Sequence, residues 1–301
     1  MKHLLKLQDL TREEILSILN LADQLKYERN HGIINDSLKG KKLGMIFQKS
    51  STRTRVSFET GIYELGGYGM FLSSHDLQIG RGEPVEDTAR VLSRYLDGIM
   101  IRTFAQKEVE DLAKYGSIPV INGLTDYAHP CQVLADLMTI REYKGSFKDL
   151  KLTYVGDGNN MANSLIVGAV KLDMEINIAC PEGYEPDAQI VKWAHENGNL
   201  TITRSVEDAI KAADVLYTDV WASMGMENEK VKREHDFVGY QINSSNIKNA
   251  KSDVMVMHCL PAHRGEEITA EVFEAHANEI FDEAENRLHA QKAVMVKLMK
   301  K

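Results

Sequence analysis

The alternation of short apolar runs with stretches of helical period constrains this chain more than any other feature. Strand signals at Leu43–Phe47, Tyr68–Leu72, Gly98–Arg102 and Ile118–Ile121 are separated by helical stretches at 53–65, 84–96, 106–115 and 130–143. The alternation restarts near Leu150, with strands at 152–156, 175–179, 200–203, 214–218 and 253–257. Helices at 160–172, 186–197, 205–212 and 243–249 lie between or beside them, and 283–299 reads as one amphipathic helix. Strands that alternate with helices make parallel sheets covered on both faces. The expected fold is α/β, with two doubly wound parallel-sheet domains. Residues 1–144 form the first domain and 145–283 the second, a helix around 131–144 bridges them, and 284–301 packs back on the first domain. At 301 residues the chain has ample length for two cores. Thr11 with Glu14 is a capping-box pattern that opens a helix through about Tyr27.

Open α/β sheets place ligands at the carboxyl ends of their strands, which here puts the expected active site in the interdomain cleft. Nearly every polar cluster of the sequence follows a strand. The first is KSSTRTRVSFE, 49–59, a hydroxyl-rich turn with Arg53 and Arg55 that leads into a helix. A helix N-terminus with hydroxyl donors and a guanidinium fork suits a phosphate or another oxyanion. A capped helix with two solvated arginines is the plainer alternative. Arg102 closes the strand GIMIR, and NGLTDYAHPCQ brings His129 and Gln132 to the start of a helix.

VGDGNNM, 155–161, invites a dinucleotide reading, but the third glycine position is Met161 and no acidic residue is well placed after the next strand. Gly156 and Gly158 instead permit a tight strand-to-helix turn, after which Asn159 and Asn160 offer amides. In TDVWASMGMENE, Asp219 can hold an amine, and Ser223, Met224 and Gly225 form a turn suited to a carboxylate. A loop carrying Trp221, Met224 and Met226 together points to a ligand or lid role. In MHCLPAHRGEEI, Cys259 beside His258 is a reactive thiol or a buried small hydrophobe; taken alone, the second is favoured.

Charge narrows the functions. The 36 basic and 44 acidic side chains give a net charge of −8, so general nucleic-acid binding is not expected, and an anion must be held locally against the protein's field. Cys131, Cys180 and Cys259 have no paired or metal-like spacing, and no run approaches the roughly 20 residues of a membrane span. A soluble, cytoplasmic protein without metal or cofactor is expected.

Taken in order, STRTR (51–55), HPCQ (129–132) and HCLP (258–261) resemble the phosphate- and carbonyl-binding segments of the aspartate/ornithine transcarbamylase family. The similarity runs the whole length, including SSHDLQIGRGEP (73–84) and AENR (284–287), and DVWASMG (219–225) looks like the loop of its ornithine-accepting branch. Aspartate-accepting members carry a lysine in the loop equivalent to 74–84, where this chain has only Arg81. Putrescine-accepting members lack the SMG turn, whereas acylated ornithine is less firmly excluded.

The resemblance implies transfer of a carbamoyl group from carbamoyl phosphate to the δ-amine of ornithine, within arginine- or urea-type nitrogen metabolism. Ser51, Thr52, Arg53 and Thr54 would hold the phosphate. Arg102, His129 and Gln132 would reach the carbonyl end, and Cys259, Leu260 and Arg287 would complete that site. Asp219, Asn160, Ser223 and Met224 would hold ornithine, with Cys259 beside its δ-amine. Cys259, Arg53, Arg102 and His129 are the expected catalytic set. Gln78 would reach into the carbamoyl phosphate site of a neighbouring subunit in a homotrimer or a multiple of trimers, and the Leu260–Pro261 bond would be cis. A non-catalytic nucleotide- or phosphate-binding regulator is the rival of another class; it accounts for the anion loop but not for Asp219, Ser223 and Cys259 that accompany it.

Overall fold

In the computed structural model, which describes residues 1–223 and 225–300, the chain divides into two compact units. Met1–Met138 with Asn286–Lys301 make the first, and Thr139–Glu285 the second.

The first unit opens with helix α1 (Arg12–Asn30), whose capping box is complete: Glu14 N donates to Thr11 Oγ1 at 3.2 Å and Thr11 N to Glu14 Oε2 at 3.0 Å. Then follow β1 (Lys42–Phe47), α2 (Thr52–Glu64), β2 (Tyr68–Ser73), α3 (Val85–Leu92), β3 (Gly98–Arg102), α4 (Gln106–Tyr115), β4 (Val120–Leu124) and α5 (Pro130–Lys144). The four strands are parallel in the order β2-β1-β3-β4. After α2, Gly66 takes φ +79°, a left-handed conformation that turns the chain into β2. Ile46, Ile99, Ile101, Val109, Leu112 and Val120 pack one side of the sheet against α3 and α4. Each such side chain contributes about 1.5–3 kcal/mol on burial. Strand order reverses between β1 and β3, which makes their carboxyl ends the switch point of this sheet. Phe47 lies opposite Arg102 there.

The second unit contains β5 (Lys151–Val155), α6 (Asn160–Lys171), β6 (Glu175–Ala179), α7 (Ala188–Asn197), β7 (Leu200–Thr203), α8 (Val206–Ile210), β8 (Val215–Thr218), α9 (Lys230–Asp236), β9 (Met255–His258) and α10 (Ala270–Ala275). Its strands are also parallel, ordered β7-β6-β5-β8-β9, with the switch point between β5 and β8. Helix α11 (Ala277–Met299) starts in this unit and ends in the first. Within the first unit, Lys292 Nζ meets Glu64 Oε2 at 2.7 Å and Lys297 Nζ donates to Ser17 Oγ at 2.6 Å.

The two parallel-sheet domains expected from the alternation are present, with local differences. The predicted helix at 243–249 is only a 3₁₀ turn, Ile247–Asn249. Asn243 Oδ1 accepts from Ser245 N at 2.9 Å and Asn246 N at 3.1 Å, so side-chain turn bonds displace a helical start. The fourth strand begins at Val120 rather than Ile118, the last helix begins at Ala277 rather than 283, and α9 and α10 were not anticipated. Among the described residues, no helix is long and apolar enough to cross a membrane.

Candidate active site

In the first unit, the anion turn is built as a cap. Ser51 is the N-cap of α2; its hydroxyl accepts from Thr54 N at 3.2 Å and donates to Thr54 Oγ1 at 3.1 Å. No acidic residue occupies the first turn, so nothing offsets the positive helix end. The two arginines separate. Arg55 is exposed, bonded to Glu59 at 3.2 Å and stacked 3.8 Å from the Phe71 ring. It is the solvated one. Arg53 instead shares a local field with Arg102, Arg287 and His129.

His129 is buried, and its imidazole is held well below the usual histidine range, first by burial and then by the charges of Arg287, Arg102 and Arg53. It is neutral at physiological pH. Three guanidinium groups around an uncharged imidazole make a strongly positive place in a negative protein. Arg287 is buried; Nη1 donates to Gln132 Oε1 at 2.5 Å and Nη2 to Thr54 Oγ1 at 3.4 Å. Gln132 Nε2 donates in turn to Asp136 Oδ1 at 2.8 Å. Ser51, Arg53, Thr54, Arg102, His129, Gln132 and Arg287 thus belong to one constellation, with Thr52 exposed at its first turn. Gln78 lies on an exposed 3₁₀ turn, Gln78–Arg81.

The sequence reading passed over Lys49. Its ammonium is buried, ion-paired with Asp126 and 4.3 Å from the centre of the Phe104 ring. It thereby ties the loop after β1 to the loop after β4. Cys131 sits beneath this half, its thiol pushed up to about 12 by burial, which leaves it unreactive.

In the second unit, three loops meet at the ends of β5, β8 and β9, where Val155 pairs with Thr218 and Thr218 with His258. Asp219 is buried; it accepts from Asn159 Nδ2 at 3.1 Å and from the Cys259 thiol at 3.1 Å. Asn159 also caps α6, accepting from Met161 N at 2.8 Å and Ala162 N at 3.3 Å, so it is structural here, while Asn160 is the next residue on the helix. Gly158 is required by crowding: a Cβ there would stand 2.2 Å from Pro186 N. Ser223 is half-buried beyond Trp221, and Met224 lies outside the described residues.

The Cys259 loop is held from below. His258 Nδ1 accepts from Leu260 N at 2.9 Å, its Nε2 meets Glu267 Oε1 at 2.9 Å, and His258 N donates to Glu283 Oε2 at 2.9 Å. The Nδ1 contact requires the Nε2–H tautomer, so the imidazole donates to Glu267. Leu260 takes φ +58°, and the Leu260–Pro261 bond is cis, as the resemblance implies. Ligand atoms of Asp219, His258 and Cys259 converge within 4.8 Å, but both nitrogens of His258 are engaged, so the cluster reads as a hydrogen-bond network.

A second buried pair was also missed. Arg233 Nη1 donates to Asp157 Oδ2 at 2.9 Å and to the Trp221 carbonyl at 2.8 Å, while Nε donates to Glu229 at 2.9 Å. It links the glycine turn after β5 to the loop after β8. Burial pushes the Asp157 carboxyl up to about 6 despite that cation.

One unit therefore presents a cationic, hydroxyl-rich cluster suited to an oxyanion, and the other a carboxylate and thiol suited to an amine. This is the layout of a two-domain α/β group-transfer enzyme. Residues 2–142 match the carbamoyl-P binding domain of aspartate/ornithine carbamoyltransferase, and residues 148–298 match its Asp/Orn binding domain. The chain belongs to the aspartate/ornithine carbamoyltransferase family. It is 59% identical over 300 residues to ornithine carbamoyltransferase of Oceanobacillus iheyensis, covering 98% of this chain and 93% of that one. With the enzyme of the same name from Thermococcus kodakarensis it shares 55% over 303 residues, covering 99% and 96%. The solved ornithine carbamoyltransferase from Pyrococcus furiosus superposes with a TM-score of 0.95 at 53% identity, covering 99% and 97%.

Proposed function

We propose that this protein transfers the carbamoyl group of carbamoyl phosphate to the δ-amine of L-ornithine, giving L-citrulline and phosphate. The observation that carries the reading is the gathering of Arg53, Arg102 and Arg287 around a neutral, buried His129. Such a field favours a doubly charged, phosphate-bearing carbamoyl donor and, more strongly, the phosphate that leaves it.

Ser51, Thr52, Arg53 and Thr54 hold the phosphate oxygens, joined by Arg287. Arg102, His129 and Gln132 polarise the carbamoyl oxygen; the neutral imidazole donates a hydrogen bond without adding charge. The Leu260 carbonyl accepts from the carbamoyl amide. Asp219 pairs with the α-ammonium of ornithine, and Asn160 and Ser223 hold its carboxylate. The δ-ammonium, with a reference pKa of about 10, must first lose a proton to solvent. Cys259, bonded to Asp219, stands beside it and favours the neutral amine. The nitrogen lone pair then attacks the carbonyl carbon, the carbon–oxygen bond to phosphate breaks, and the departing phosphate takes the electron pair and accepts the proton that the attacking nitrogen sheds. Positioning and electrostatics suffice, with no covalent enzyme intermediate.

The assembly that suits this reading is a homotrimer, with Gln78 completing a neighbour's site. Its support is an apolar, exposed face along edge strand β2 and helix α2: Val56, Tyr63, Tyr68 and Phe71 are all exposed. A cytoplasmic location fits the reduced cysteines.

The deciding experiment is citrulline formation from carbamoyl phosphate and ornithine, run beside aspartate, putrescine and N-acetylornithine. Turnover with ornithine alone is expected. Turnover with another amine would overturn the reading of Asp219–Gly225, and none with any amine would reject the enzymatic reading.

A further inference from the structure

One buried amide in the first unit belongs to no ligand contact assigned above, yet it joins three of the elements that make them. Gln291 lies on α11 one turn beyond Arg287 and is fully buried. An arginine offers only donors, so the amide must turn its oxygen toward the guanidinium. In that orientation Oε1 accepts from Arg287 Nε at 3.0 Å and Nη2 at 2.9 Å, and Nε2 donates to Ser57 Oγ at 2.6 Å. Ser57 Oγ is left with its own hydrogen, which it donates to the Arg53 carbonyl at 2.7 Å.

Each bond in this series then joins a donor to an acceptor. It runs from the Arg53 carbonyl through Ser57 and Gln291 to Arg287, and from Arg287 to Gln132 and Asp136. Its ends are the first turn of α2 and the start of α5. Arg287 is a long side chain that could adopt many rotamers; here two of its nitrogens are held by one amide and a third by Gln132.

We propose that Gln291 is a positioning residue for the donor half-site: it fixes the plane of the Arg287 guanidinium and, through Ser57, the first turn of α2, so setting affinity for the phosphate-bearing substrate without touching it. This rests on the assignment of Arg287 and Arg53 to carbamoyl phosphate. A side chain of matching shape without the acceptor, Gln291→Met, leaves the packing intact and frees the guanidinium to rotate. Loss of a charge-assisted pair of this kind weakens binding by about tenfold.

The test compares wild type, Gln291→Met, Ser57→Ala, Arg287→Lys and the Gln291→Met/Arg287→Lys double variant. Readouts are calorimetric affinity for inorganic phosphate, KM for carbamoyl phosphate, and KM for ornithine at saturating donor, with thermal midpoints as the folding check. Gln291→Met is expected to weaken phosphate and raise the donor KM about tenfold, leaving the ornithine KM within about twofold. In the Arg287→Lys background it is expected to cost no more than about threefold, the part that reaches α2 through Ser57, because the rest of its effect passes through Arg287. Additive losses, or an unchanged donor KM, would overturn the proposal. If Gln291→Met does not fold, Ser57→Ala decides: a donor KM raised about threefold supports the chain of bonds and an unchanged one rejects it. A wild type that neither binds phosphate nor makes citrulline would overturn the functional reading and this inference together; an active wild type with an indifferent Gln291→Met overturns this inference alone.

Discussion

Replacing Arg233 with methionine separates what the second unit's buried ion pair does for stability from what it does for the acceptor site. Asp157 is 6% exposed, and its carboxyl titrates at about 6, raised by burial and only partly offset by Arg233. A carboxyl with a raised folded pKa favours the folded state most below its unfolded value near 3.8; that contribution is lost as pH rises through about 6. In the Arg233→Met variant the offsetting cation is gone, so the folded pKa climbs further and the loss extends to higher pH. Removing one partner of a buried pair costs about 3–5 kcal/mol when the other stays charged. The penalty should therefore be near its full size at pH 8. At pH 5, where Asp157 is largely protonated in the wild type as well, it should shrink to the about 1 kcal/mol of lost hydrogen bonds.

Urea unfolding at both pH values measures the difference. Equal losses at pH 5 and pH 8 would refute the reasoning, since an uncharged packing defect has no such dependence. The Arg233→Met/Asp157→Leu double variant should regain most of the stability at pH 8, because no buried charge remains. It should not regain the acceptor site: the Trp221 carbonyl has lost its anchor at 2.8 Å, and the KM for ornithine is expected to stay raised. A double variant with wild-type ornithine KM would remove Arg233 from the positioning of the loop after β8.

Other outcomes follow from the half-sites. Arg53→Ala should abolish carbamoyl phosphate binding in calorimetry, and retained affinity would reject its place in the anion turn. Cys259→Ser should lower kcat by about tenfold or more while donor affinity stays nearly intact, since the thiol donates to Asp219, the residue read as holding the amine substrate. His129 should remain neutral in a histidine-resolved NMR titration well below pH 6.5. Its depressed pKa gives a stabilising contribution that is present above pH 6.5 and declines as pH falls below that value. A resonance titrating near 6.5 would contradict the buried, arginine-flanked placement.

The parts of this protein legible in the sequence are those whose causes are local. Thr11 and Glu14 announce their capping box across three residues, and Ser51 caps α2 through Thr54 in the same way. The strand-end loops could be read because parallel α/β sheets put ligands there as a rule of topology. What stayed hidden was held across the chain. Arg233 looks like one more charge in KVKREHD until its partner 76 residues away is known. Lys49 reads as part of a basic turn, yet Asp126 neutralises it from 77 residues further on. Gln291 meets Ser57 across 234 residues. Apolar periodicity cannot reveal such contacts, because each depends on two loops or helices already being in place. The missed turn at 243–249 is the opposite case: its asparagines signal local side-chain bonds, which outweighed the apolar spacing.

The electrostatics of the donor half-site argue for why its histidine is buried. A protein with net charge −8 does not attract a dianion at long range, so the attraction has to be built over a few ångströms. Arginines supply it without risk of losing their protons. Arg55 and Lys49 are already balanced by Glu59 and Asp126, whereas the charges felt by His129 are those of Arg287, Arg102 and Arg53. A histidine left half-exposed beside an arriving phosphate would take up a proton, and its charge would then follow the pH of the medium. Burial among arginines prevents this before the anion arrives. When the anion does bind, it raises the imidazole pKa, but burial, the largest cause of the depression, remains. In the proposed reaction the imidazole therefore acts as a fixed dipole on the carbamoyl oxygen, and its own charge stays constant through binding and departure of phosphate.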